Sequence, residues 1–233
     1  MKKKLMGFFN VCLSVIVLIC FESFLYESLK LLKINIYNYS YIIRVVINLI
    51  IKLIMCFLIY YIYKKDFRSR RRTNDGLIKN LLVFCISLVT LVISMYLFSY
   101  VVNFIGELFD IDIIENNFYN IFNKKLNFNL IVKIINDYII IPYLWCSVVI
   151  FGTDKLIRHN NACIIFSGIV ASIISAFTMN GTLGFIIMNS LPTFLLFAIL
   201  MFIYKKNYSI YFITSLYSFY LISNVFILNY LGW

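Results

Sequence analysis

The chain has 233 residues, of which 63% are hydrophobic and only 13% are charged, and its formal net charge is +11. Soluble domains average about 45–50% apolar and about 25% charged residues, so this composition excludes an ordinary soluble domain. In a soluble protein the basic excess would suggest nucleic acid. In a membrane protein it follows from the Lys and Arg that collect in cytoplasmic loops, so we expect no nucleic-acid partner.

Seven apolar stretches follow one another along the chain, and each has about the 20 residues that a membrane-spanning helix needs. They predict an all-α, polytopic transmembrane helix bundle that forms a single membrane domain over residues 1–233. The predicted helices cover residues 5–26, 42–63, 81–105, 130–151, 162–180, 182–203 and 210–231. Near Asn180-Gly181 the sequence predicts either a loop between two spans or a kink between two half-helices.

The first apolar stretch follows Met-Lys-Lys-Lys and is similar in its start to a secretory signal sequence. An apolar run of about 20 residues is longer than the about 7–15 residues of a signal sequence, and no small-x-small cleavage site follows. We therefore expect a retained first helix.

The basic residues sort to alternate loops. Fourteen of the 21 Lys and Arg residues lie in four segments that share one side if every predicted helix crosses the membrane: 2–4, 64–80, 155–158 and 205–206. Because Lys and Arg are retained in cytoplasmic loops, this pattern predicts an N-terminus inside and a C-terminus outside the cell. The many Ile, Phe, Tyr, Asn and Lys residues have A/T-rich codons, which indicates the plasma membrane of a low-GC bacterium.

Two loops have a distinctive composition. Segment 64–80 carries seven basic residues, which predicts an orientation signal that touches anionic lipid or a docking site for a cytoplasmic partner. In the outer segment 107–129, four apolar residues recur at helical spacing: Ile111, Ile114, Phe118 and Ile121. We expect an amphipathic helix there that lies on the outer surface and packs against the bundle.

Five charged residues fall inside the predicted helices: Glu22, Arg44, Lys52, Lys133 and Asp137. Charges in a bilayer cost free energy, so they tend to face the bundle interior and to pair. At about 1.5 Å per residue, only Lys52 lies near mid-membrane, and the other four lie at outer-leaflet depth. They predict either a polar site open to the outside, with the two carboxylates as acceptors, or snorkelling helix ends with one structural ion pair.

Residue types exclude several intramembrane proteases. The single histidine, His159, lies in an inner loop, so neither a zinc site with two His ligands nor an intramembrane Ser-His pair is available. An aspartyl protease needs two membrane Asp residues, and only Asp137 qualifies. The six cysteines lie in apolar stretches without a CxxC pair. We therefore expect no disulfide, no metal site and no cofactor.

The layout of residues 139–228 carries a family resemblance. A helix with Pro142 near its start ends in the short basic loop 154–158, and a helix of small residues, 167–180, follows. An apolar helix then ends at Tyr204-Lys-Lys, and the last helix begins at Ser209. This order resembles the CPBP family, the CAAX-protease and bacteriocin-processing (Abi) membrane proteins, and divides the chain into N-terminal helices 1–129 and a CPBP-like half 130–231.

The resemblance also implies where catalytic residues would lie. The family has a Glu-Glu pair and an Arg after the Pro, then Phe-x-x-x-His, then a His followed four residues later by Asn or a similar residue. The glutamates would act as general base and the later residues would hold the water and the oxyanion. The matching positions here hold Trp145, Cys146, Ile150, Ala176, Asn180, Tyr217 and Leu221. The resemblance thus implies the fold without the protease activity, and a role in bacteriocin self-immunity or as a membrane accessory protein.

Three functions stay open. The first is a catalytically silent CPBP-like protein that binds a peptide or another membrane protein. The second is a transporter or an ABC-type permease subunit, in which Gly181, Gly184 and Pro192 would mark broken helices near a site. The third is an intramembrane peptidase of unrecognised type that uses Cys146 or Asp137, although no activating base lies near Cys146 in the sequence.

Overall fold

The structure is a computed structural model that describes residues 2–31, 36–67, 77–111, 113, 128–157, 159–207 and 209–231. Within these ranges the chain forms long helices and no strand, so the all-α prediction is confirmed. The helices are α1 (Lys2–Leu31), α2 (Tyr41–Phe67), α3 (Leu77–Leu108), α4 (128–156), α5 (Asn160–Ala176), α6 (Leu183–Asn207) and α7 (Ile210–Leu231). A short 3-10 turn, Ile36–Asn38, precedes α2.

Six of these helices are long and apolar enough to cross a membrane: α1, α2, α3, α4, α6 and α7. Helix α5 has 17 residues, which gives a length of about 25 Å. The hydrocarbon layer of a bilayer is about 30 Å thick, so α5 is a shorter apolar helix. Where the sequence predicts seven spans, the described residues form six helices of full length and this shorter one. The chain is therefore a multi-pass membrane protein.

The outward-facing side chains of α2 fit the thickness of a bilayer. Tyr41 and Tyr61 are both exposed, and they lie 20 residues apart on the helix, which corresponds to about 30 Å. Between them, Ile50 and Phe57 are also exposed. Tyrosines prefer the membrane–water interface, so Tyr41 and Tyr61 mark the two ends of the span, while Ile50, Phe57 and Tyr61 share the side that faces lipid.

Helix α4 is the most deeply buried helix among the candidate spans. In its most apolar stretch of 18 residues, 56% of the residues are buried, compared with 17% in the corresponding stretches of α1, α2 and α3. Its hydrogen-bond ladder contains two wide π-helical segments, Asn136–Ile140 and Cys146–Phe151, on either side of the α-helical turn Ile141–Trp145. Pro142 in that turn has no amide hydrogen to donate. The wide turns change the directions in which the side chains of α4 point, and such segments are frequent at functional sites.

Helices α5 and α6 form a tight antiparallel hairpin. Ser167 Oγ donates a hydrogen bond to the Phe197 carbonyl oxygen at 3.2 Å, and Ser172 Oγ donates one to the Ser190 carbonyl oxygen at 3.3 Å. Small residues permit such close approach of two backbones in a membrane. Residues 177–182 form the connection, so the alternative of a kink between two half-helices is wrong.

The start of α6 explains why the hairpin turns where it does. The side chain of Thr182 accepts a hydrogen bond from the Phe185 amide at 3.4 Å, which is the usual role of a Thr before a helix. Helix α6 then continues without interruption to Asn207 and includes Pro192. Pro192 therefore does not mark a broken helix, and the break at Gly181 lies in the hairpin turn.

Side-chain contacts place the basic helix ends together. Ser14 in the first half of α1 shares a hydrogen bond with Tyr63 near the end of α2, at 2.9 Å. Asp154 at the end of α4 forms an ion pair with Lys205 at the end of α6. We call this the basic end of the bundle and the other the opposite end. The segments at 68–76 and 114–127 lie outside the described residues, so the predictions of a docking loop and of an outer amphipathic helix stay predictions.

We predict that Gly168→Val destabilises the hairpin. A Cβ atom at Gly168 would lie 2.7 Å from the Phe194 ring and 2.8 Å from the Phe194 carbonyl oxygen, and overpacking of this kind costs about 1–3 kcal/mol. The measurement is the midpoint of thermal unfolding in detergent. Gly7→Val is the matched control, because nothing lies within 4 Å of a Cβ atom there. Equal midpoints for the two variants would contradict the close contact.

Candidate functional site

A ridge of polar side chains runs along α2 in the half of the bundle near the opposite end. Arg44, Asn48 and Lys52 recur at every fourth residue, a spacing that places them in one row on the helix surface. All three are half-buried, and about 12 Å separates the first from the last along the axis. We call these three residues the polar ridge.

Glu22 of α1 faces the middle of the polar ridge. Asn48 Nδ2 donates a long hydrogen bond of 3.4 Å to Glu22 Oε1. Within the described residues, no ion pair joins Glu22 to Arg44 or to Lys52. The amide of Asn48 lies between the two cations on the ridge, so the carboxylate bonds to the amide instead of to either charge.

The polar ridge has hydrogen-bonding capacity that the described residues leave unused. Arg44 Nε and Asn48 Oδ1 are both buried and have no hydrogen-bond partner among them. The guanidinium lies 5.9 Å from the ring centroid of Tyr41 on its own helix. Lys52 likewise has no partner in the part of the chain that the structure describes. Unpaired polar atoms and charges in apolar surroundings cost free energy, so the ridge favours a ligand that pairs with them.

Asp137 lies on α4 at about the depth of Lys52, which is deeper than the outer-leaflet position that the sequence predicts. Helices α2 and α4 run in the same direction, and Tyr143 lies near Cys56 on α2. Lys52 precedes Cys56 by four residues and Asp137 precedes Tyr143 by six, so the two charges are within about one turn of each other in height. Asp137 Oδ1 accepts a hydrogen bond of 2.8 Å from Asn136 Nδ2, and Lys133 lies one turn earlier on α4. These positions extend the polar surface from α2 towards α4.

Three of the seven positions singled out by the family resemblance meet in the core. The ring centroids of Trp145 and Phe197 lie 5.4 Å apart, and those of Phe197 and Tyr217 lie 5.6 Å apart. Cys146 is fully buried and lies beside Thr214 and Tyr217 of α7. The structure thus brings Trp145 and Tyr217 around one phenylalanine of α6, with Cys146 beside Tyr217.

The other family positions do not join this cluster. Ile150 is fully buried one turn further along α4, and Leu221 lies one turn beyond Tyr217 on α7. Ala176 ends α5 nine residues after Ser167, the residue that contacts Phe197, which corresponds to about 14 Å along the helix. Asn180 is exposed in the hairpin turn. The positions expected to hold a water molecule and an oxyanion are therefore spread over two levels of the bundle.

The cluster around Phe197 has no group suited to activate water. Its members are two aromatic rings, a phenol and a buried thiol, without a carboxylate or an imidazole among the contacts described. The described residues also contain no group of three or more His, Cys, Asp or Glu side chains that could hold a metal ion. Comparison of the chain with protein-family models, with curated proteins and with solved structures finds no match.

Sequence reasoning missed two features of the site region. One of them is the role of Asn48, which the sequence could have indicated, because Asn48 lies midway between Arg44 and Lys52 at helical spacing. The other is the ion pair between Asp154 and Lys205, whose N–O distance is 2.5 Å. In the sequence both residues belong to predicted basic loops, but the side chains of Asp154 and Lys205 are only 4% and 10% exposed. In the sequence, the only indication of this ion pair is that Asp154 is the one acidic residue of segment 154–158.

We predict that Cys146 reacts poorly with thiol reagents in the folded protein. The comparison uses two variants in detergent, one that retains only Cys146 and one whose only cysteine is introduced by Lys30→Cys at the exposed end of α1. N-ethylmaleimide should modify Cys146 at least about tenfold more slowly, because thiols buried in apolar surroundings are inert. After denaturation in sodium dodecyl sulfate the two rates should agree. Equal rates in the folded state would restore Cys146 as a candidate nucleophile.

Proposed function

We propose that the chain is a binding protein embedded in a bacterial plasma membrane, with its basic end in the cytoplasm. Its role is peptide (bacteriocin) self-immunity or that of a membrane accessory protein, as the resemblance to catalytically silent CPBP proteins implies. The observation that carries the proposal is the polar ridge, whose Arg44 Nε and Asn48 Oδ1 are buried and unpaired within the described residues.

The chemistry of the ridge favours a peptide as the ligand. A peptide backbone supplies both N–H donors and C=O acceptors. A carbonyl or carboxylate oxygen can accept from Arg44 Nε, and an N–H group can donate to Asn48 Oδ1. A bound carboxylate would also offset the positive charge of Lys52. Arg44 lies in the first turn of α2, so the ligand reaches the ridge from the opposite end of the bundle.

The two alternatives have less support in the described residues. Transport through broken helices requires interruptions near a site, but α6 is continuous through Pro192 and the Gly184 backbone lies close to Ile111. Peptidase activity requires an activated nucleophile or water. Cys146 lies among aromatic rings and a hydroxyl, and Asp137 is hydrogen-bonded to its neighbour Asn136.

The proposal is tested in the host by deleting the gene and measuring growth inhibition by each peptide encoded beside it. Deletion should sensitise the cells to one such peptide, and expression of the chain should restore growth. Unchanged sensitivity to every co-encoded peptide would overturn the immunity role. A purified sample in liposomes that cuts these peptides unaided would overturn the non-enzymatic assignment.

We predict that Arg44→Gln and Lys52→Gln each weaken protection, because each removes a charge that the ligand pairs with. The loss should be about tenfold or more in the inhibitory peptide concentration, since hydrogen bonds to charged groups contribute about 1.5–3 kcal/mol. The matched control is Lys30→Gln, which removes a charge that is 72% exposed and pairs only loosely with Glu27 at 3.6 Å. Equal protection by all three variants would show that the ridge does not bind the peptide.

A further inference from the structure

The basic end of the bundle contains an ion pair that the polar ridge does not use. Lys205 Nζ donates to Asp154 Oδ1, and the two side chains are 10% and 4% exposed. Asp154 lies in the last helical segment of α4, Gly152–Leu156, and Lys205 lies in the last turn of α6. The pair therefore ties together the ends of two helices that are far apart in the sequence.

A third helix closes over this ion pair. Cys163 in the first turns of α5 lies beside Asp154, Thr153 and Lys205, and its side chain is fully buried. Its Sγ atom contacts Met201 Sδ of α6 at 3.8 Å. The thiol is therefore covered by the same contacts that hold α4 and α6 together.

Helices α1 and α2 close the other side of α4 at the same end. The Tyr63 hydroxyl shares a 2.9 Å hydrogen bond with Ser14 Oγ, and its ring packs edge-on against Phe151 with centroids 5.2 Å apart. Gly152 permits this approach, because a Cβ atom there would lie 3.1 Å from Tyr63 Oη. All four of these residues are buried, whereas the polar ridge near the opposite end is only half-buried.

We propose that the Asp154–Lys205 ion pair is a latch that keeps the basic end of the bundle closed, so that the polar ridge is open from the opposite side only. A buried ion pair adds little net stability compared with apolar residues of similar volume. Removal of one partner leaves a buried charge that gains free energy by reaching water. An ion pair at a helix junction therefore makes closure depend on two charges, and its loss admits water between α4, α5 and α6.

Cys163 is a built-in reporter of this closure. The experiment uses the full chain in lipid vesicles, with Cys163 as the single cysteine and a membrane-impermeant maleimide supplied to both faces. With the latch intact, Cys163 should stay unmodified. Asp154→Asn should raise its modification rate about tenfold or more, since opening exposes the thiol to water. Lys206→Gln is the matched control, because Lys206 lies over the Phe202 ring at 4.3 Å and outside the pair.

The charge-reversed variant, Asp154→Lys combined with Lys205→Asp, decides between a latch and general damage. It restores the ion pair with opposite polarity, so Cys163 should again be protected to within about twofold of the parent. A rate as high as that of Asp154→Asn would overturn the proposal, as would full protection of Cys163 in Asp154→Asn. If Asp154→Asn does not fold, the charge-reversed variant alone decides, because protection of Cys163 supports the latch and rapid modification overturns it. The latch does not depend on which ligand the polar ridge binds.

Discussion

The burial of α4 within a bundle surrounded by lipid is the constraint on which the other features depend. No water is available in the hydrocarbon layer, so each polar group on this helix must find a partner inside the protein or keep an unmet hydrogen bond. Thr153 solves the problem locally, since its hydroxyl donates to the Val149 carbonyl oxygen at 2.6 Å. Asp154 solves it through Lys205 of α6. Asn136 solves it only in part, because its Nδ2 bonds to Asp137 while its Oδ1 stays buried and unpaired among the described residues.

The polar contacts between α1 and α2 differ between the two ends of the bundle. At the basic end, polar side chains pair between helices at short distances, as Ser14 does with Tyr63. Towards the opposite end, the contact between α1 and α2 is the long one from Asn48 to Glu22, and Arg44 keeps a buried, unpaired Nε within the described residues. A binding site needs unmet polar groups, and a seal needs satisfied ones. This difference between the two ends of α1 and α2 supports the proposals of binding at the polar ridge and of closure at the basic end.

The sequence was sufficient for the helices because their positions depend on local composition. Each predicted span lies within about five residues of an observed helix, and the last, 210–231, coincides with Ile210–Leu231. Contacts between helices depend on rotation and register, which apolar composition does not encode. Asp154 and Lys205 are 51 residues apart in the chain, and hydropathy treats both as loop charges. The polar ridge could be predicted in part, because Arg44 and Lys52 are charged residues within a predicted membrane helix. Its contact with Glu22 could not be predicted, because it depends on how α1 packs on α2.

The register of the helices also decides which of the positions expected from the family resemblance lie together. Catalysis needs a base, a water and an oxyanion donor within hydrogen-bond reach of one another. Here the register of the α5–α6 hairpin, set by Ser167 against Phe197, brings Trp145 and Tyr217 together but leaves Ala176 about 14 Å away along its helix. The proposed function depends instead on groups that do lie together, which near the opposite end are the unpaired atoms of the polar ridge.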